Sequence, residues 1–277
     1  MALNRARLHR IVSHMGIAAG MALVTGGTSG IGAAFARALA NRGHDIVLVA
    51  RSAGPLETMA AELRALGREV ETIAADLADP ADTARVAERL RDADRPIEVL
   101  VNNAGFGLRT RIVGADVAEH GRAFDVMIRA VFVLAAASGE AMKARGHGTI
   151  INVGSVSGET SMNAYSAIKA WVNTFSEVLA NELHGSGVTV TDLEPGWVHT
   201  EFHQRADLRS SSIPSFLWLD AEYLVDRCLR DAERGKVLSI PSVRFQVLTW
   251  FTRHLPSAAM RAISRRIALR RRDTVTP

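Results

Sequence analysis

Tyr165 and Lys169 stand four residues apart in NAYSAIKAWVN, residues 163–173, a run that otherwise reads as a buried helix. Residues at i and i+4 share one helix face about one turn apart, so the phenol and the amine point the same way. A free phenol has a pKa near ~10 and is a poor base at neutral pH. A nearby ammonium stabilises the phenolate and lowers that value. Such a pair could give a proton to an oxygen or take one from it. Alone, the same spacing is equally a packed tyrosine beside a solvated lysine, so the rest of the chain has to decide.

A second chemical feature is the stretch VTGGTSGIG, residues 24–32. Gly26, Gly30 and Gly32 lack a β-carbon, so the chain can turn tightly and let a pyrophosphate approach its backbone. Thr28, Ser29 and Ile31 share the loop and are expected to contact the same group. The loop joins an apolar run to a helical pattern. Free N–H groups and the dipole at that helix N-terminus favour an anion.

The elements that must hold these features read as one α/β domain. Seven short β-rich runs are spaced along the chain: 21–26, 45–50, 69–75, 97–102, 148–154, 188–195 and 236–241. Most are continuously apolar, as in strands covered on both faces. Helix-length segments lie between them, and the first two, IGAAFARALANRG and PLETMAAELRALG, end in glycine, a helix stop. This alternation predicts a doubly wound, Rossmann-type parallel sheet of about seven strands with helices on both faces, plus a C-terminal helical extension. The expected organisation is a basic N-terminal extension (1–20), a catalytic domain (21–242) and a basic amphipathic tail (243–277).

Composition narrows the possibilities. With 277 residues and 48% hydrophobic content, one large core is affordable. The single cysteine, Cys228, excludes an internal disulfide and a cysteine-based zinc site and fits a reducing compartment. His14 and Gly16 interrupt the apolar stretch near the N-terminus, which argues against a secretory signal. Of a total charge of +4, residues 253–277 carry +6 and residues 1–20 carry +3, leaving −5 for the body. Both ends are basic; such tails find anionic lipid or nucleic acid, or are solvated helix ends.

The glycine spacing TGxxxGxG, followed in order by NNAG at 102–105, YSAIK at 165–169 and PGWVHT at 195–200, resembles the short-chain dehydrogenase/reductase family. The likeness covers about residues 20–242 and leans toward the hydroxysteroid and ketoacyl reductase branch. It implies an oxidoreductase that interconverts a carbonyl and an alcohol with a nicotinamide cofactor. It also implies catalytic roles for Ser155, Tyr165 and Lys169: Ser155 to bond the substrate oxygen, Tyr165 as acid/base, and Lys169 to hold the nicotinamide ribose as well. Ser157 competes with Ser155, but the pattern INVGS favours Ser155. Asp76 is expected at the adenine amino group with Leu77 beside the ring. Asn102 and Ala104 would line the adenosine ribose, with Asn103 and Gly105 in the same motif. Asn103 itself fits a structural tie between the central strands. Pro195, Gly196, Val198 and Thr200 are expected at the carboxamide and pyrophosphate end of the cofactor.

The cofactor is expected to be NADP(H). The second strand ends LVARS, with Ala50 where an NAD site carries an acid and Arg51 next to it. A carboxylate there would repel a 2′-phosphate, whereas a guanidinium can bind it with two bonds. Ser52 could add a hydroxyl contact, and Arg51 as a plain surface charge is the alternative.

Two departures from the family pattern bear on turnover. Met127 falls where the family places a relay asparagine, and the Ser155–Tyr165 loop is short. A thioether cannot donate a hydrogen bond. Two functions follow: a working reductase, or an NADP(H)-binding sensor or scaffold with little turnover. Residues 202–224 are the expected substrate lid. Phe202, Ile213, Phe216, Leu217 and Trp218 there suit a bulky apolar substrate of steroid, retinoid or long-chain acyl type. The tail reads as two amphipathic helices separated at Pro256, able to lie on an anionic membrane or to pack on a sister subunit. A homo-oligomer without nucleic acid, in the cytoplasm or associated with a membrane, completes the expectation.

Overall fold

The computed structural model describes residues 20–108, 112–114, 117–199 and 217–255, with 258, 259, 262 and 264 beyond them. All seven predicted strands form. They are β1 (Met21–Thr25), β2 (Asp45–Ala50), β3 (Val70–Ala74), β4 (Ile97–Asn102), β5 (Gly148–Val153), β6 (Val188–Leu193) and, after two short strands described below, β9 (Leu238–Ser239). They make one parallel sheet in the order β3-β2-β1-β4-β5-β6-β9. The chain starts in the middle at β1, builds outward to β3, then crosses back to β4. β1 and β4 are thus neighbours whose connections leave in opposite directions, and the crevice past their C-terminal ends is where such sheets bind ligands.

Helices cover both faces. On one side lie α1 (Gly30–Asn41), α2 (Ala53–Ala65) and α7 (Ala221–Glu233). Phe35, Leu56 and Leu224 pack there against Val24, Ile46 and Val99. On the other side lie α3 (Pro80–Arg91), α4 (Val117–Phe124), α5 (Ala130–Arg145) and α6 (Ala164–Glu182). Leu90, Leu134 and Ile168 pack there against Leu23, Val47 and Leu100. Central-strand residues Leu23, Val47 and Leu100 have no exposed surface, which explains why most of the strands are apolar runs rather than alternating ones.

Helix ends follow the local signals. Asp79 caps α3 by accepting from the Ala81 N–H at 2.8 Å, ahead of Pro80. Asn163 caps α6 by accepting from the Ser166 N–H at 3.0 Å, which starts the helix two residues before Tyr165. Gly43 and Gly67 terminate α1 and α2 with positive φ. The C-terminal extension begins with α8 (Val243–His254). The rest of the tail, with Met260, Ile263, Ile267 and Ala268, lies outside the described residues except for five positions.

One feature was not expected. β7 (Trp197–Val198) and β8 (Trp218–Leu219) pair in parallel as a separate two-stranded ribbon. It joins the two ends of the expected lid. Residues 200–216, including Thr200, Phe202, Ile213 and Phe216, lie outside the described residues.

Candidate active site

Tyr165, in the first turn of α6, and Ser155, just past β5, bring their hydroxyls into a hydrogen bond. Ser155 Oγ also accepts from the Ser157 N–H at 3.0 Å. That bond caps a 3-10 turn over Val156–Glu159, so the short loop between the two hydroxyls is a built structure. Ser157 enters through its backbone, in support of Ser155.

Lys169, one turn further along α6, is buried and donates from Nζ to the Val153 carbonyl at 2.7 Å. The ammonium lies 5.7 Å from the centroid of the Tyr165 ring, within cation–π range. Its pKa is pushed down to about 8 by burial, with the Asp192 charge pulling the other way. The electrostatics differ from the simple expectation at Tyr165. Burial drives the phenol above its ordinary value, and the Ser155 hydrogen bond recovers only part of the shift. Desolvation of the phenolate is the dominant cause.

Asn173 was not singled out from sequence. It stands one further turn along the same face, at i+4 from Lys169. Its Oδ1 accepts from the Ser155 N–H at 3.3 Å and its Nδ2 donates to the Ser155 carbonyl at 3.1 Å. Both backbone groups of the serine are therefore clamped to the catalytic helix. The Tyr165–Lys169–Asn173 spacing was the available signal. Gly154 allows this closeness, since a β-carbon there would overlap Asn173 Oδ1 and Asp192 Oδ1.

Met127 is buried in a π-helical turn, Asp125–Arg129, between α4 and α5. Its Sδ sits 3.1 Å from where a β-carbon on Gly105 would be. It packs against the NNAG motif as an apolar filler.

The glycine turn faces the same crevice. Gly26 and Gly30 have φ of +63° and +54°, conformations that glycine adopts without strain. A β-carbon on Gly32 would overlap the Gly26 carbonyl. No side chain caps α1 at Ser29, so its first-turn N–H groups, near Thr28 and Ile31, are directed at the crevice. Arg51 and Ser52 are exposed at the C-terminal end of β2. Leu77 is buried at the foot of the adjacent loop. These residues fit a dinucleotide with an extra phosphate beside Arg51.

Asp76 is held in place by an ion pair within the protein. Arg122 Nη2 from α4 donates to both its oxygens, at 2.9 and 2.7 Å. Burial alone would raise the Asp76 carboxyl, but Arg122 and the Ala78 N–H hold it below its ordinary value. Arg122 was not foreseen, because its partner is 46 residues away. Asn103 ties β1 to β4, donating from Nδ2 to the Thr25 and Gly26 carbonyls at 2.9 and 3.3 Å. Thr25 Oγ1 in turn accepts from the Asn103 and Ala104 N–H groups. Asn102 donates to Asn152 at 3.0 Å in a buried chain that ends on Ser176. Pro195 accepts from the Val156 N–H, Gly196 presses on the Phe245 ring, and Val198 lies buried in β7.

A parallel sheet that reverses between β1 and β4, with a glycine turn and a Ser–Tyr–Lys cluster at one edge, defines a nucleotide-binding α/β protein. Residues 20–210 match the family model described as short chain dehydrogenase. The chain is 37% identical over 206 residues to galactitol 2-dehydrogenase (L-tagatose-forming) of Cereibacter sphaeroides, covering 72% of this chain and 78% of that protein. It is similar in structure to a short-chain dehydrogenase from Sphingobium yanoikuyae in complex with NADPH, with a TM-score of 0.77, 37% identity, and 83% and 91% coverage of the two chains. The bulky-bulky ketone specific alcohol dehydrogenase from Comamonas testosteroni gives a TM-score of 0.72 at 31% identity, with 90% and 93% coverage. The chain belongs to the short-chain dehydrogenase family.

Proposed function

We propose that the protein is an NADP(H)-dependent oxidoreductase that interconverts a ketone or aldehyde and an alcohol on a bulky apolar substrate. The observation that carries this reading is the hydrogen-bonded Ser155–Tyr165 pair above Lys169, at the same sheet edge as the glycine turn. Gly26, Thr28, Ser29, Gly30, Ile31 and Gly32 would hold the pyrophosphate, and Arg51 and Ser52 the 2′-phosphate. Asp76, Leu77, Asn103, Ala104 and Gly105 would border the adenosine; Pro195, Gly196, Val198 and Thr200 the nicotinamide end. Bound there, NADP(H) supplies the hydride that the substrate carbon gains or loses.

The chain's own residues handle the oxygen. Ser155 accepts the Ser157 N–H, which orients its hydroxyl proton toward the substrate oxygen. Tyr165 gives its phenolic proton to that oxygen in reduction and takes it back in oxidation. The Lys169 ammonium stabilises the phenolate left behind.

The apolar substrate is supported by the aromatic base of the lid: Trp218 stacks on His199 at 4.7 Å between ring centroids, and Trp197 lies 5.9 Å from Phe245. The relative that acts on bulky ketones agrees; the galactitol dehydrogenase favours polyols. A second reading, an NADP(H)-binding protein of low turnover, rests on Met127. A panel of aryl, steroidal and long-chain ketones and of sugar ketones, followed at the reduced-nicotinamide absorbance, tests the proposal. Reduction of bulky ketones with NADPH preferred over NADH is expected. Binding of NADPH with no ketone reduced would favour the second reading, and sugars alone would overturn the apolar assignment.

We also propose two contacts for the surface. Phe132 and Val178, exposed beside the stacked Trp171–Phe175 pair, suit a second copy of the chain. Val243, Val247, Trp250 and Phe251 on α8 are exposed and lead into the arginine-rich tail, which suits an anionic membrane surface. Among the described residues no helix is long and apolar enough to cross a membrane.

A further inference from the structure

Next to Lys169 lie two acids that the mechanism above does not use. Asp192 near the end of β6 and Glu194 just past it are two residues apart, on the same side of the strand. They are 2% and 1% exposed. Their carboxyls are in hydrogen-bonding contact, yet Asp192 Oδ1 and Glu194 Oε2 have no partner among the described residues. An ordinary buried pair would be satisfied. Asp192 abuts the Cα of Gly154, one residue from the Val153 carbonyl that receives the Lys169 ammonium, and its charge acts on that ammonium.

The acids also connect outward. Arg253 Nη2 from α8 donates to Glu194 Oε1 at 3.0 Å and to Glu159 Oε1 at 2.8 Å. Glu159, Asn173, Glu177 and Arg253 border a cavity of about 380 Å³ between the 3-10 turn, α6 and α8, large enough for several water molecules. The charged and titratable groups facing the pair are Lys169 and Glu177 from α6, Glu159 from the 3-10 turn, Arg253 from α8 and Cys228 from α7. Burial pushes Asp192 up against the pull of Lys169. Burial and then the Asp192 charge push Glu194 up, against the pull of Arg253. Two such carboxyls share a proton readily near neutrality.

We propose that Asp192 and Glu194 are positioning residues that share one proton, hold a negative charge beside Lys169, and exchange protons between it and the cavity at Glu159 and Glu177. This rests on the proposed reductase and deepens it. Each carbonyl reduced takes one proton from the site, and each alcohol oxidised returns one. On the inward path the Lys169 ammonium restores the proton that Tyr165 gave up, Asp192 returns one to the Lys169 amine, and Glu194 is reprotonated from cavity water by way of Glu159, with which it shares Arg253. The outward path is the reverse. The route leads away from Met127, whose thioether cannot donate.

The test compares the wild type with Asp192→Asn and Glu194→Gln. First, the Lys169 amine is titrated by NMR in the folded chain, which needs no activity. Asp192→Asn is expected to lower its pKa by about one unit, since an attracting charge is gone; an unchanged value overturns the proposal. Second, the rate of ketone reduction is measured from pH 6 to 9. Asp192→Asn is expected to lose about fivefold more relative to the wild type at pH 8 than at pH 6, in keeping with a one-unit shift from about 8. Glu194→Gln leaves the shared negative charge on Asp192 and is expected to keep the Lys169 pKa at or above its wild-type value, with no such loss at pH 8. A loss of equal size at every pH would mean a purely structural role and would overturn it. If Asp192→Asn does not fold, Asp192→Ser is read by the same two criteria. A wild type that reduces no ketone refutes the reductase but leaves the NMR titration to decide the charge coupling.

Discussion

The proposed proton chemistry rests on a few atoms whose environment differs from water. Tyr165 is pushed up by burial, and Lys169 down to about 8. Arg51, in contrast, is exposed at a strand end, where the proposed 2′-phosphate contact would set cofactor specificity. Arg51→Asp is expected to reverse the cofactor preference, raising KM for NADPH about a hundredfold and lowering that for NADH. The loss combines a missing charge-assisted contact with a new repulsion. Steady-state kinetics with each nicotinamide checks this, and an unchanged preference would make Arg51 a plain surface charge.

At the scale of elements, what could be read from sequence was what repeats locally. Most of the seven sheet strands are continuous apolar runs, and Gly43 and Gly67 ended their helices as read. The glycine turn and the Tyr165–Lys169 spacing are equally local. The β7–β8 ribbon was not legible because two-residue strands carry no period, and its strands stand about twenty residues apart across the lid. Arg122 on Asp76, and the Asp192–Glu194 pair, were missed for a related reason: a charged residue in sequence does not announce its long-range partner. Asn173 could have been found, since it continues the catalytic face by one turn.

The same element-level packing makes Gly154 a sensitive position. Gly154→Ala would force its methyl into Asn173 and Asp192, and overpacking of this kind costs about 1–3 kcal/mol. Urea denaturation is expected to show that loss. Turnover should fall as well, because the Asn173 clamp on Ser155 is displaced. Wild-type stability would contradict the packing described.

For the whole molecule, the buried acids shape the response to pH. Asp192 and Glu194 have folded-state pKa values raised above those of the unfolded chain. Their contribution to stability is therefore fully present below the ordinary carboxyl range, near ~4. It is lost as pH rises through the raised values toward neutrality. Relative to Asp192→Asn, the wild type is expected to lose melting temperature steadily from about pH 5 to pH 8, as followed by circular dichroism. A difference that does not vary with pH would contradict the raised values.

The charge is uneven, basic at both ends of an acidic body, and the proposed membrane contact draws on it. The full chain is expected to pellet with vesicles containing anionic lipid and to be released by salt, whereas a chain ending before Arg253 is not. Equal pelleting of the two would remove the tail from membrane binding.

The most direct test concerns the hydroxyl on which the catalytic reading depends. Tyr165→Phe removes one oxygen from a helix whose packing it otherwise preserves. NADPH affinity, followed by the cofactor's fluorescence, should stay near that of the wild type. The kcat for reducing a bulky ketone should fall by about 10²-fold or more, the usual range for a lost general acid. Turnover by Tyr165→Phe at the wild-type rate would contradict the account.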